Sequence, residues 1–419
     1  MNKPAGINPN PTVRQNTTEK RRLRFKFVFA AVIGLILVTS LTGCVPKAPH
    51  EHWVAALKKV NDLDFQEFVT TLSMNIQSDN PEKQKIYQIF NQVDIEIITK
   101  LDKEDRRFIF DFNLLYKGVN CGNLTLYSDL EKITVRSVFL GPIVYCFEWK
   151  DLQPLVQDYL DLQFKITDYF PLLLETDEKT WEQVKLAIYD FYTEYYQDKI
   201  AAGAKLVKLA VVENEQEKDI TCRELVLNMD QDDFTPDEIS RLLQSIFANP
   251  ATHTLIKDKT TQFITIAKNN GDLATWPITE EQLIAFRDNI DHQIDLFLNR
   301  MAVAITPGTA ATPTSITQMN GKMYIDQKGF WRSMLTKQIM HSTDPITGES
   351  TQFVMTMEQK LINPGQKPSF PDFLPWAAIN IGQTSANEWE DLLKNISLNL
   401  FAQVMTNPLI QDIMQVITE

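Results

Sequence analysis

Glycine and histidine are scarce in this sequence, and the common signatures of catalysis are missing. Only 14 of the 419 residues are glycine and five are histidine. The sequence contains no Walker loop, no Gly-x-Ser-x-Gly elbow, no His-Glu-x-x-His pair and no Cys-x-x-Cys pair. These absences argue against nucleotide-binding, serine hydrolase and zinc chemistry. We therefore predict a protein that is not an enzyme and that has no cofactor.

Cysteine is rare as well, with four residues in the whole chain. Cys44 lies at the end of the N-terminal segment, directly after residues 1–43, which leaves Cys121, Cys146 and Cys222 in the body. An odd number of cysteines in an exported protein leaves at least one thiol free. Burial as small apolar side chains is the favoured interpretation for all three, and a Cys121–Cys146 disulfide stays open.

Basic residues are few once the N-terminal segment is set aside. Without residues 1–43, which hold seven basic residues and one acidic residue, the chain has 34 Lys and Arg against 53 Asp and Glu, a net charge of −19. Such an acidic body is a poor partner for nucleic acid, whose phosphates need basic contacts. Anionic lipid headgroups would also repel it. Its attachment to a membrane should therefore come from a covalent lipid and not from its surface.

The chain has one long apolar run, the fifteen residues from Phe27 to Leu41. A basic stretch, Lys20–Lys26, precedes the run and small residues follow it, which is the layout of a secretory signal. The alternative is a permanent transmembrane helix, which needs about 20 apolar residues. The run reaches that length only if it extends through residues 42–45.

The end of this run, Leu41-Thr42-Gly43-Cys44, favours the first interpretation. It resembles the lipobox of bacterial lipoproteins, in which a branched apolar residue and two small residues precede a cysteine. The resemblance implies that the Cys44 sulfur carries a diacylglycerol, that the signal is cut between Gly43 and Cys44, and that fatty acids such as palmitate label the protein. Two acyl chains hold a protein firmly on a membrane, whereas one chain does not. We expect an anchored protein of the cell envelope on the extracytoplasmic face, with inner or outer membrane left open.

The remaining sequence predicts an α+β fold. Apolar residues make up 44% of the chain and 24 residues are phenylalanine, so a substantial core is expected. Residues 93–150 alternate between apolar and polar side chains in short segments separated by turns, which is typical of an antiparallel meander. Further strands come in hairpins separated by helices, without regular β-α-β alternation. We predict an antiparallel, curved sheet with helices on its apolar face.

The predicted organisation has five parts. They are a signal (1–43), a tether (44–52), an α+β body (53–302), a Thr-, Ala- and Pro-rich linker or loop (303–318), and a three-stranded sheet with C-terminal helices that packs on the body (319–419).

A hydrophobic cavity is the candidate binding site. The order of elements after the tether resembles that of lipoprotein carriers and related lipid-binding lipoproteins (LolA/LppX-like), which implies a lipid or other hydrophobic ligand on the apolar face of the sheet. The residues that would line this site are aromatic: Phe108, Phe110, Phe112, Phe147 and Trp181. The same side chains would equally suit a filled core, in which case the chain is a structural or interaction lipoprotein without a ligand.

Two acidic stretches contain the residue types of a metal site, and we expect neither to bind a metal. Asn228-x-Asp230-x-Asp232 begins like a calcium loop but lacks the glycine at the sixth place and the glutamate at the twelfth. The second stretch is more simply the solvated face of an amphipathic helix. Its members are Asp288, Asp291, His292 and Asp295.

Overall fold

The computed structural model describes residues 48–151, 166–169, 172, 177–213, 216–233, 236–274, 276–305, 314–344, 347–371 and 378–418. The predicted signal, Cys44 and tether residues 44–47 lie outside these ranges, as do residues 306–313 of the predicted linker. Within the described residues the chain forms helices and one mostly antiparallel, open sheet, so the predicted α+β class is confirmed.

The twelve strands found in the described part of the chain belong to a single sheet. Their bounds are β1 Phe65–Ser78, β2 Val93–Asp102, β3 Arg107–Tyr116, β4 Val119–Ser128, β5 Lys132–Ser137, β6 Val144–Glu148, β7 Ile200–Glu213, β8 Gln216–Asp230, β9 Thr314–Asp326, β10 Trp331–Thr343, β11 Ser350–Ile362 and β12 Ala378–Asn380.

Nine α-helices are found among the described residues. Their bounds are α1 Pro49–Asn61, α2 Pro81–Phe90, α3 Glu178–Tyr195, α4 Pro236–Phe247, α5 Pro250–Asn270, α6 Glu280–Asp288, α7 Ile290–Ile305, α8 Ala386–Thr406 and α9 Pro408–Thr418.

The sheet order is β12-β6-β5-β4-β3-β2-β1-β11-β10-β9-β8-β7. Strands from the C-terminal part of the chain therefore lie between strands from its N-terminal part. β11 pairs with β1 along almost its whole length, and β9 pairs with β8. Strands β9, β10 and β11 therefore lie inside the sheet, between β1 and β8. All neighbours are antiparallel except β12, a short strand that pairs in parallel with β6 and that the sequence did not predict.

The tether is shorter than predicted because helix α1 already begins at Pro49. Pro49 occupies the first turn, where its missing amide donor costs nothing. The Glu51 carboxylate accepts a hydrogen bond from the Ala48 amide at 2.7 Å. These two local signals place the helix start four residues before Trp53, the predicted first residue of the body.

The linker predicted for residues 303–318 is also shorter, since α7 extends through Ile305 and β9 begins at Thr314. The apolar and β-branched residues at 263–266 predict a further short strand between the helices, and this prediction is wrong, because these residues lie inside α5. Asn249 caps the start of α5 and Gly271, with a φ of +79°, ends it. The caps and the packing of Ile264 against the core outweigh the strand preference of the β-branched residues there.

The sheet curves strongly near β7. Strands β7 and β11 are four places apart in the sheet, which is about 19 Å in a flat sheet. Cα atoms of the two strands nevertheless approach within 8 Å. Arg332 on β10 also reaches Glu213 at the end of β7, with 2.5 Å between the guanidinium Nη1 and the carboxylate Oε1.

Two separate hydrophobic clusters lie on the same face of the sheet. The larger one buries α1 and α3 against strands β8 to β11, with Trp53, Leu225 and Met323 all at most 1% exposed. The smaller one buries α9 against the ends of β2, β3 and β4, and its members include Leu409, Val93, Tyr116 and Cys121. This face is the one on which the candidate cavity was predicted.

Candidate functional site

The predicted phenylalanines of β3 lie on the apolar face of the sheet. Phe108, Phe110 and Phe112 alternate with Ile109 and Asp111, so successive even-numbered side chains point to the same face. Apolar side chains of the two neighbouring strands lie on the same face. Phe112 lies opposite Ile97 on β2, and Phe110 lies opposite Leu126 on β4.

Phe147 joins the same face through a row that crosses four strands. Phe108 pairs with Ser128, Ser128 with Ile133, and Ile133 with Phe147. Adjacent strands lie about 4.8 Å apart, so Phe108 and Phe147 are separated by roughly 14 Å across the sheet. The structure thus places four of the five predicted cavity residues on one face.

These phenylalanines are half-buried and belong to neither of the two hydrophobic clusters found among the described residues. Two apolar neighbours on the same face are more exposed: Leu124 on β4 and Met74 on β1 remain 39% and 37% exposed. The helix-covered clusters therefore flank a band of apolar sheet surface. We name this surface the apolar band; it extends from β1 to β6 and includes the four phenylalanines, Leu124 and Met74.

Trp181 is not part of this band. It lies in the first turn of α3 and is 44% exposed. The side of α3 that faces the sheet carries Tyr189 and Tyr192 instead, and Tyr196 follows at the C-cap of the helix. All three tyrosines are buried in the larger cluster. Periodicity alone could not tell which side of α3 faces the sheet, because Trp181 and the tyrosines lie on different sides and both sides carry aromatic residues.

The tyrosines of α3 behave as apolar groups. Burial raises the pKa of Tyr192 to about 12 and raises that of Tyr196 well above its ordinary value. Tyr192 and Tyr196 stack with ring centroids 5.8 Å apart, and Tyr196 contacts Trp53 on α1. This half of the face is a filled aromatic core.

Buried charges at one end of the strands were missed by the sequence analysis. Asp102, at the end of β2, is 0% exposed and accepts hydrogen bonds from Arg107 at 2.7 Å and from the Asp105 amide at 2.9 Å. Arg332, 3% exposed, lies between Glu213 and Asp326. In a sequence with 54 acidic residues, no local pattern distinguishes these carboxylates from solvated ones.

The three cysteines of the body are free thiols in the structure. Cys121 and Cys222 are buried and Cys146 is partly exposed. Burial raises the pKa of all three thiols, to about 11 for Cys222. Since the thiolate is the reactive form, these residues are poor nucleophiles at neutral pH.

The described residues contain no group of three His, Cys, Asp or Glu side chains placed to hold a metal ion. The acidic helix face is interrupted at Asn289, where α6 ends and α7 begins. Asp291 pairs with His253 and Lys257, while Asp288 pairs with Arg287. In the turn after β8, Asp230 accepts a hydrogen bond from the backbone amide of Asp232, as in an Asx turn.

No protein-family model matches this chain, and no curated protein matches it. None of the helices that the structure describes is both long enough and apolar enough to cross a membrane.

Proposed function

We propose that this chain is a membrane-anchored lipoprotein of the cell envelope that binds a lipid or another hydrophobic molecule on the apolar band. The sequence Leu41-Thr42-Gly43-Cys44 supports the anchor, with diacylglycerol on Cys44 and cleavage after Gly43. The membrane is thus a partner through this lipid, on the extracytoplasmic side. The first described helix begins at Pro49, so the lipid holds the body close to the bilayer.

The observation that carries the ligand proposal is the half-burial of the apolar band. A sheet face that is only packed as core buries its large side chains to a few per cent, as Leu225 and Met323 do in the larger cluster. Phe110 and Phe112 lie on the same face and stay half-buried. Apolar surface of this kind gains about 25 cal/mol per Å² when a hydrophobic ligand covers it.

The second candidate is a structural or interaction lipoprotein without a ligand. The observation in its favour is the larger cluster, where α1 and α3 fill the space over β8 to β11 with aromatic side chains. On this account, the apolar band would be covered by a protein surface and would hold no small molecule.

Native mass spectrometry distinguishes the two candidates. The mature chain, produced from residue 44 with Cys44→Ser, would be purified without detergent and measured intact. We expect a mass increment of one lipid-sized molecule that disappears after delipidation and returns on incubation with fluorescent lipid. A clean apo mass together with failure to take up fluorescent lipid would refute ligand binding and leave the interaction protein.

A further inference from the structure

Helix α8 carries its most apolar surface on the side that faces away from the protein. Five of its large apolar side chains, and two more on α9, are between 45% and 65% exposed. They form the C-terminal patch, which consists of Leu393, Leu398, Leu400, Phe401, Met405, Met414 and Ile417. On α8, Leu398, Phe401 and Met405 follow the i, i+3, i+7 spacing of a single helical stripe.

The inward side of α8 is held by polar as well as apolar contacts. Leu392 is buried, while the Asn399 side chain lies against Gly141 so closely that a Cβ at Gly141 would collide with it. At the end of α8, the buried Asn407 donates from Nδ2 to the Cys121 carbonyl oxygen at 2.6 Å. The orientation of α8 is therefore fixed, and its apolar side is directed outward.

The central part of the C-terminal patch, which contains Leu398, Leu400, Phe401 and Met405, lies in an uncharged segment. Residues 395–411 contain no Asp, Glu, Lys, Arg or His, in a chain of which 23% of the residues are Asp, Glu, Lys or Arg. Asp412, at the rim, is paired with Lys117 at 2.8 Å. A surface that is apolar, uncharged and rimmed by polar residues is typical of an interaction site.

The length of chain before α1 indicates what covers the patch. Only residues 45–48 separate Cys44 from Pro49, and five residue steps span at most about 18 Å. A body on so short a tether cannot stand away from the bilayer, so one of its surfaces must face the headgroups. Among the surfaces of an acidic body, an uncharged apolar one is the least repelled by the bilayer.

The helix that follows the tether and the helices that carry the patch lie on the same face of the sheet. Helix α1, which follows the tether, packs on the apolar face through Trp53 and Leu57. Helix α9 packs on that face through Leu409, over the ends of β2, β3 and β4. A single membrane plane can therefore meet the lipid on Cys44 and the C-terminal patch together.

We infer that the C-terminal patch inserts into the lipid bilayer as a second attachment point beside the acylated Cys44. This inference rests on the proposed anchor and goes beyond it, because it fixes which side of the body faces the membrane. The sequence predicted that the surface of the body contributes nothing to membrane attachment. That prediction rests on net charge, which does not reveal an uncharged apolar patch. The opposite face of the sheet, with Lys337 exposed on β10, points away from the bilayer.

Depth-dependent quenching tests this orientation in the processed, acylated protein. A single environment-sensitive fluorophore would be attached at Leu398→Cys, or at Lys337→Cys as the matched control, in a Cys146→Ser background. The protein would be reconstituted on phosphatidylcholine vesicles with and without doxyl-labelled lipid. We expect doxyl lipid to quench most of the emission at position 398 and little of that at 337, and Phe401→Glu to abolish the quenching at 398.

Each other outcome contradicts a distinct part of this account. Protein that does not float with the vesicles refutes the acyl anchor, and the inference with it. Protein that floats but shows equal, weak quenching at both positions refutes only the insertion of the patch. Blue-shifted emission at position 398 without doxyl quenching, accompanied by dimers in sedimentation, would show that a second copy of the chain covers the patch instead of lipid.

Discussion

Asn407 and Cys121 are 286 residues apart in the sequence, yet the Asn407 amide Nδ2 donates a 2.6 Å hydrogen bond to the Cys121 carbonyl oxygen. The same asparagine accepts a hydrogen bond from the Leu409 amide and so caps α9. One buried side chain thereby fixes the junction of α8 and α9 on the edge of the smaller cluster. The position of the C-terminal patch depends on this junction.

Replacing Asn407 by alanine should therefore loosen the C-terminal helices. The substitution leaves the buried Cys121 carbonyl without this donor and removes the cap of α9, for a loss of about 1–3 kcal/mol in the free energy of unfolding. Urea denaturation measures the loss, and hydrogen exchange should show it first in α8 and α9. Asn395→Ala on the exposed side of α8 is the control, and an equal effect of both variants would contradict the role of Asn407.

Asp102 should make stability depend on pH. Burial alone would raise the pKa of this carboxyl, but hydrogen bonds from the Asp105 amide, Arg107 and Lys367 outweigh burial and hold the pKa below its ordinary value. A lowered folded-state pKa gives stability that is present above the unfolded pKa of about 3.9 and is lost as pH falls through the folded value. Asp102→Asn should be less stable at pH 7, and its deficit should shrink as pH falls from about 5 toward 3.

The measurement for Asp102 is the free energy of unfolding of both proteins across that pH range. Asp105→Asn is a useful control, because Asp105 is exposed and shares the partners Arg107 and Lys367. Exposed pairs contribute little, so this variant should stay within about 1 kcal/mol of the wild type. A deficit of Asp102→Asn that stays constant from pH 7 to pH 3 would contradict the ionised, hydrogen-bonded state.

Phe112→Lys should prevent uptake of hydrophobic ligand. A charged ammonium on the apolar band would have to be desolvated whenever a lipid covers the band. Trp181→Lys is the matched control, since Trp181 is exposed on α3 and lies outside the band. Uptake of fluorescent lipid should fall at least tenfold for Phe112→Lys and stay near wild type for Trp181→Lys, with circular dichroism confirming that both variants fold. Loss of uptake in both would place the site elsewhere.

Cys44→Ala should abolish labelling of the protein by radioactive fatty acid in cells. Cys44 is the residue that the lipobox pattern places at the acylation position, and on the proposed account its thiol would form the thioether. Cys146→Ala should keep the label, because Cys146 is a partly exposed thiol outside the pattern. Persistent labelling of Cys44→Ala would refute the anchor.

Local patterns predicted the elements well and the arrangement of the sheet less well. The alternation of Phe108, Phe110 and Phe112 directly predicted β3, because side chains repeat every two residues along a strand. No local pattern could predict that β11 pairs with β1, since the pairing depends on contacts between residues such as Phe68 and Leu361 that are far apart in the sequence. Residues 319–362 therefore looked like a separate small sheet.

The candidate site was predictable to a similar extent. Phe108, Phe110 and Phe112 could be placed on one face from alternation alone, whereas Phe147 joins them only through the register of four strands. Trp181 could not be excluded, because its exposure depends on which side of α3 meets the sheet. The C-terminal patch was not predicted at all. Its amphipathic spacing is that of an ordinary core-facing helix, and only the structure shows that Leu398 and Phe401 face outward.

Photo-crosslinking with a diazirine-bearing lipid tests the central claim, ligand binding on the apolar band, most directly. The mature chain with Cys44→Ser would be irradiated with the lipid, and crosslinked peptides would be identified by mass spectrometry. The account predicts saturable crosslinks on β2, β3 and β4, at residues that flank Phe110 and Phe112, and their loss on competition with unlabelled lipid. Crosslinks confined to α8 and α9, or none that saturate, would contradict it.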